Sequence, residues 1–190
     1  MNLSQLPNLL TMARIAAAPL LILTLKDQDY RMALVVFFLA GLSDALDGFI
    51  AKRYGYISRL GSILDPIADK LLLLSAYVML TLLDHVPFWL MLTVAFRDLL
   101  IVGGYLTYTS LVGPVAMQPS RLSKLNTLVQ IALVVLILGE EAIGVAYPMV
   151  RTLLVYGVMV TTVSSGAHYL WKWIIMKQVE PEKHASDRHT

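Results

Sequence analysis

Asp44 and Asp47 precede one short basic loop, Asp65 and Asp69 follow it, and Gly48, Ala51 and Gly61 are interleaved with them. The spacings i,i+3 and i,i+4 put each pair of acids on one face of a helix. If the first helix enters the loop and the second leaves it, residues equidistant from the loop's middle share a depth. Asp44 then levels with Asp69 and Asp47 with Asp65, so four carboxylates form one layer. Oxygen-only donors suit hard divalent cations, Mg²⁺ or Mn²⁺, and disfavour zinc. Two such ions balance four carboxylates, and a pair about 3.5–4 Å apart clamps the oxygens of a phosphoryl group undergoing in-line displacement. Lys52, Arg53 and Arg59 at the mouth add charge that can hold a diphosphate. The small residues leave a cleft for a ligand to approach the backbone.

Plainer roles exist for single members of the set. Asp65 before Pro66 is placed like a helix N-cap with proline at the first helical position, and Asp47 can pair with Lys52 or Arg53. Four acids together in so apolar a chain call for more, because each carboxylate at the hydrophobic level of a bilayer costs a few kcal/mol. An ion-coupled transporter also uses intramembrane acids, but it predicts two related halves. The second half of this chain carries no matching acidic cluster.

The elements that must position the acids follow from composition. Of 190 residues, 57% are hydrophobic and only 15% charged, which points to one all-α integral membrane domain. Cysteine is absent, which excludes disulfides and thiolate metal sites, and a net charge of +2 gives no reason to expect nucleic acid. Arg14 interrupts the first apolar stretch, so a signal-peptide layout is not expected. Stretches long enough to span about 30 Å of hydrocarbon fall at residues 8–25, 31–53, 62–83, 87–110, 122–140 and 147–174, predicting six transmembrane helices. Polar or helix-stopping residues separate them, among them Lys26 to Asp29, Asp84 to Pro87, and Gly139 to Glu141 with Gly144. Lys52, Arg53, Arg59, Arg121, Lys124, Lys172 and Lys177 gather on one set of loops, which places both termini and the acid-flanked loop in the cytoplasm. Residues 1–178 are expected to form the membrane domain and 179–190 a polar, disordered tail.

The run Asp44 to Asp69 resembles the signature of the CDP-alcohol phosphatidyltransferase family, D-x2-D-G-x2-A-R-x8-G-x3-D-x3-D, and every spacing fits. One position departs: Lys52 stands where the pattern has Arg, keeping the charge but losing the planar fork. The resemblance implies a six-helix fold, often a homodimer, that binds two divalent cations and a CDP-linked lipid in a cavity open to the cytoplasmic leaflet. An acceptor hydroxyl attacks the phosphorus nearest the lipid and CMP leaves. Carried over by position, Asp44, Asp47 and Asp65 would be metal ligands, and Asp69 both a ligand and the general base. Asp44, Gly48, Ala51, Lys52, Arg53 and Gly61 would line the CDP-lipid site.

The signature does not choose the acceptor. Pro7, Asn8, Thr11, Arg14 and Pro19 look like the opening of both phosphatidylglycerophosphate synthases and CMP-forming cardiolipin synthases. Arg97-Asp98, and the run Ser123-Lys124-Leu-Asn126-Thr127-Leu-Val-Gln130, look more like the cardiolipin synthases, with Asn126 where the glycerophosphate enzymes usually carry a second lysine. A phosphomonoester such as glycerol 3-phosphate carries more charge than the phosphodiester of phosphatidylglycerol, so it wants more cations. The expected activity is therefore transfer from CDP-diacylglycerol to phosphatidylglycerol, with glycerol 3-phosphate the alternative acceptor. A bacterial inner membrane is the expected location, a mitochondrial one the alternative. Arg14, Arg97, Arg121 and Lys124 are candidates for the acceptor phosphate, and Asn8, Ser123, Asn126 and His168 for further acceptor contacts. Arg121 and Lys124 also fit ordinary cytoplasmic loop charge, Arg97 fits a pair with Asp98, and His168 fits a backbone hydrogen bond.

An alcohol is a weak nucleophile until its proton is taken. Asp69→Asn is therefore expected to abolish turnover while metal-dependent binding of the CDP-lipid, measured by equilibrium titration, survives. Turnover like that of the unmodified protein would remove Asp69 as the base.

Overall fold

The computed structural model describes residues 6–54, 61–112 and 121–179, with side chains described over 12–43, 70–104 and 122–171. Six helices make up the described residues: α1 (Leu6–Lys26), α2 (Tyr30–Tyr54), α3 (Gly61–Leu82), α4 (Phe88–Val112), α5 (Arg121–Ile143) and α6 (Pro148–Val179). They fall where the apolar stretches predict, with two informative differences. α3 begins at Gly61, so the Asp65–Pro66 pair lies inside the helix and the N-cap reading of Asp65 does not hold. α5 runs through Gly139 to Ile143, because Glu140 is buried and paired in its last turn. The stop comes at Gly144, whose φ of 75° suits glycine.

Three tight turns, α1–α2, α3–α4 and α5–α6, sit at one end of the bundle and close by left-handed caps. At the first, the Asp29 N–H donates to the Thr24 carbonyl and the Gln28 N–H to that of Leu25, with Gln28 at φ 57°. The second repeats the pattern: the His85 N–H donates to the Leu80 carbonyl and the Asp84 N–H to that of Thr81, with Asp84 at φ 61°. These paired bonds satisfy carbonyls that a helix end leaves open. Asp29 then caps α2, its Oδ1 accepting from the Met32 N–H at 3.0 Å.

The helices pack in a closed ring: α1 on α2, α2 on α5, α5 on α6, α6 on α4, α4 on α3, and α3 back on α1, with α3 also touching α5. Each helix buries one stripe, and the stripe's chemistry changes along its length. Near the turns it is hydrocarbon: Leu21 and Leu25, Ala33 and Phe37, Ala76 and Leu80, Leu90 and Val94, Ile137 and Leu138, and Val158. Farther from the turns the same stripes carry Arg14, then Arg97 and Asp98, Asn126 and Gln130, and Thr162 and Ser165, all buried. Large apolar side chains such as Phe38, Phe96, Leu99, Leu153 and Val160 stand exposed on the outside. Among the described residues, two segments are long and apolar enough to cross a membrane, Leu122–Ile143 and Pro148–Trp171. Only 33% and 22% of their apolar windows are buried. An outer surface this apolar is that of a membrane protein.

A polar knot ties the turns together. Arg151 on α6 pairs with Glu140 at 2.9 Å and with Glu141 at 3.4 Å, and the Tyr147 N–H donates to Glu140 Oε1. His85 stands between the Tyr30 hydroxyl, 3.0 Å from Nε2, and Glu141, 3.4 Å from Nδ1. Arg31 Nε donates to the Ala142 carbonyl at the exposed edge. Arg151→Ala leaves the buried Glu140 carboxylate without its cation, an expected loss of roughly 1–3 kcal/mol. Arg31→Ala, which touches only an exposed bond, is expected to cost less than about 1 kcal/mol. Unfolding midpoints of both variants in one detergent check the order.

Candidate active site

Positions 65 and 69 continue, by helical register, the buried stripe Leu73, Ala76 and Leu80 of α3. Positions 44 and 47 continue in the same way the buried stripe Ala33, Val36, Phe37 and Ala40 of α2. α2 and α3 each pack on α1 and on α5. The four acids thus belong to the two registers that face the bundle interior, at the end where the other buried stripes have turned polar. The side chains of Asp44, Asp47, Asp65 and Asp69, like those of Asn8, Gly48, Ala51, Lys52, Arg53, Gly61 and Arg121, lie outside the described residues. Among the described residues no group of three His, Asp or Glu side chains is arranged to hold a metal ion.

Arg14 is almost fully buried, at 1% exposure, on the α1 stripe shared with Ala18, Leu21 and Leu25. The α1–α2 turn centres on Gln28, so fourteen residues back from it Arg14 stands level with Leu42, fourteen residues on. That depth is two residues short of position 44 on α2.

Arg97, 3% exposed, is the hub of a second polar group. One terminal nitrogen donates to Asp98 Oδ1 at 2.6 Å, and the other to Ser123 Oγ at 2.6 Å and Ser165 Oγ at 2.7 Å. The same Asp98 oxygen accepts from Lys70 Nζ at 3.0 Å. One carboxylate therefore serves two cations and links α3 to α4, while Arg97 carries the link on to α5 and α6. A cavity of about 190 Å³ lies beside Arg97 between α4 and α6, lined by Leu100, Ile101, Gly104, Gly166, Tyr169 and Leu170. Gly166 faces Arg97 across this contact, and a Cβ there would lie at an ordinary van der Waals distance, 3.7 Å, from Arg97 Cγ.

Asn126 is fully buried, and its Oδ1 accepts from the Thr161 and Thr162 hydroxyls, both at 2.9 Å. Its Nδ2, and both side-chain polar atoms of Gln130, have no partner among the described residues. The Gln130 carbonyl accepts a long bond, 3.4 Å, from the Tyr77 hydroxyl. Lys124 and His168 are exposed. The structure thus brings Arg97 and Ser123 together in one network, seats Asn126 nearby on α5, and leaves Lys124 and His168 on the outside. Sequence reasoning paired Arg97 with Asp98 but missed Lys70, Thr161, Thr162 and Ser165. The signal available was the cluster of small residues Thr161, Thr162, Ser164, Ser165 and Gly166 in an otherwise apolar helix, a composition that marks helix–helix contacts in membranes.

Arg97→Gln removes the ionic partner of Asp98 and the donor to two serines, and is expected to cost about 1.5–3 kcal/mol. Lys124→Gln, at an exposed position, is expected to stay within about 0.5 kcal/mol. Thermal unfolding in detergent distinguishes the two.

The family model described as CDP-alcohol phosphatidyltransferase matches residues 4–164. The CMP-forming cardiolipin synthase of Rattus norvegicus is 36% identical over 180 residues, covering 86% of this chain and 60% of its own length. The Homo sapiens enzyme of the same name matches to the same extent. The CDP-diacylglycerol–glycerol-3-phosphate 3-phosphatidyltransferase of Rickettsia typhi is 35% identical over 172 residues, 88% of this chain and 96% of its own length. The chain thus spans about 60% of those cardiolipin synthases and nearly all of the Rickettsia protein.

Proposed function

Because the chain belongs to the CDP-alcohol phosphatidyltransferase family, we propose that it transfers the phosphatidyl group of CDP-diacylglycerol to phosphatidylglycerol, releasing CMP and forming cardiolipin. The residues fit two divalent cations. Four carboxylates offer only oxygen donors, and their registers continue stripes that are buried elsewhere along the same helices. Asp44, Asp47, Asp65 and Asp69 would hold Mg²⁺ or Mn²⁺, which when bound would neutralise the diphosphate and the charge developing on it. Asp69 takes the proton of the acceptor hydroxyl, and Gly48, Ala51 and Gly61 leave room for the nucleotide. Lys52 and Arg53 hold the diphosphate from the loop side, and Arg14 adds a buried guanidinium close in depth to Asp44.

Asn126 carries the choice of acceptor. A lysine there would add a charge suited to a phosphomonoester. The residue present is neutral, fully buried and held through its oxygen by Thr161 and Thr162, with Nδ2 remaining as a donor. One neutral donor matches a glycerol headgroup on a phosphodiester better than the dianionic end of glycerol 3-phosphate. Arg121 and Lys124, at the start of α5, supply the cations that a single diester charge needs. Asn8, Ser123 and His168 remain further candidates for the acceptor. The Rickettsia relatives, matched along almost their whole length, support the second reading, in which glycerol 3-phosphate is the acceptor.

In this reading all six helices cross the bilayer, residues 1–178 form one domain, and 179–190 are a polar tail. Both termini and the acidic layer face the cytoplasm of a bacterial inner membrane, and the protein pairs as a homodimer. Purified protein supplied with Mg²⁺, labelled CDP-diacylglycerol and each acceptor separately is expected to release CMP and form cardiolipin with phosphatidylglycerol. Product with glycerol 3-phosphate alone would establish the second reading instead.

A further inference from the structure

Lys70 follows directly on Asp69, yet it is turned toward α4, where its Nζ lies 3.0 Å from Asp98 Oδ1. Successive residues of an α-helix differ by about 100° about the axis. Fixing the direction of Lys70 therefore fixes the direction of position 69. That position then falls in the middle of the α3 stripe formed by Leu73, Ala76 and Leu80. Hydrocarbon packing alone sets such a stripe loosely, since leucines and alanines have no directional bonds. An ion pair at half-buried Lys70, closed by a carboxylate that is itself clamped by Arg97 at 2.6 Å, is directional.

We infer that Asp98 is a positioning residue for the reaction centre: through Lys70 it sets the rotation of α3, and with it the register that carries positions 65 and 69 on the buried stripe of that helix. This rests on reading the α2 and α3 acids as that centre. Asp98 is itself braced from two further helices, because Arg97 donates to Ser123 on α5 and Ser165 on α6. The rotation of α3 is thus referred to three other helices at once. With a side-chain tip roughly 5 Å from the axis, a rotation of about 20° moves it by about 1.7 Å. Misplacements of about 1 Å can cost about a hundredfold in rate.

Lys70→Gln, Asp98→Asn, the double variant and Lys70→Arg separate this role from a merely structural one. Each is purified as the full chain, checked for a cooperative thermal transition, and titrated with Mn²⁺ by electron paramagnetic resonance. CMP release is then measured with CDP-diacylglycerol and the productive acceptor. Lys70→Gln leaves the Arg97–Asp98 pair intact, so it tests the tether even if Asp98→Asn folds poorly. The expected result is that both single variants bind Mn²⁺ about tenfold more weakly and lose roughly ten- to a hundredfold in kcat, with KM for CDP-diacylglycerol little changed. The double variant is then no worse than Asp98→Asn alone, because the Lys70–Asp98 contact is already lost there, and Lys70→Arg recovers most of the loss of Lys70→Gln. Near-normal Mn²⁺ binding and kcat in Lys70→Gln would overturn the inference and leave Asp98 only as the partner of Arg97. If the unmodified protein bound no Mn²⁺, or if Asp47→Asn did not weaken that binding, the reading of the acids as the metal centre would fail and the inference with it.

Discussion

A charged group taken out of water must find its counter-charge and its hydrogen bonds inside the protein, and at Arg97 this requirement joins four helices. Its guanidinium is 3% exposed, and its two terminal nitrogens are held by the carboxylate beside it on α4 and by one serine each from α5 and α6. Asp98 in turn takes Lys70 from α3. Losing one partner of such a group leaves an uncompensated buried charge, far costlier than the pair itself is worth. The heights of α3, α4, α5 and α6 relative to one another are therefore constrained wherever the bundle forms. Shape complementarity among leucines and alanines would tolerate small slides and rotations that this network does not.

The same constraint divides the molecule along its length. Near the three described turns the buried stripes are hydrocarbon, and the polar groups there form a separate knot around Glu140, Glu141, Arg151 and His85. Farther from the turns every inner stripe becomes polar within a few residues. α1 brings Arg14, α4 Arg97 and Asp98, α5 Asn126 and Gln130, and α6 Thr162 and Ser165. α2 and α3 bring the registers of the four aspartates to the same end. The apolar half supplies the driving force for holding the ring closed, and the polar half receives a geometry it could not build alone. At that level the described interior carries the cations Arg14, Arg97 and Lys70 and the acid Asp98.

Much of this was legible in the chain because its signals are local. Hydrophobic runs of spanning length, punctuated by Asp29, Asp84 with Pro87, and Gly144, predicted six helices close to their observed ends. The stop expected after residue 140 came three residues early, because two glutamates resemble a loop unless a cation reaches them. Arg151 does so from the next helix. Asp65 before Pro66 imitated a helix start for a similar reason: local chemistry permits a cap there, while the helix had already begun at Gly61. Arg97 and Asp98 were readable as a pair through adjacency. Lys70, Ser165 and the two threonines on Asn126 were not, since they lie 28 to 68 residues from their partners.

By itself the sequence determined the acids, their spacing within each helix, and hence the family and the class of chemistry, since period and composition are properties of a single segment. It also determined which faces were apolar enough to be buried. The rotation of each helix against its neighbours, and the depth at which the inner surface turns from hydrocarbon to polar, were decided only by the tertiary structure. Those depend on contacts between segments far apart in the chain, where one carboxylate must satisfy two cations at once.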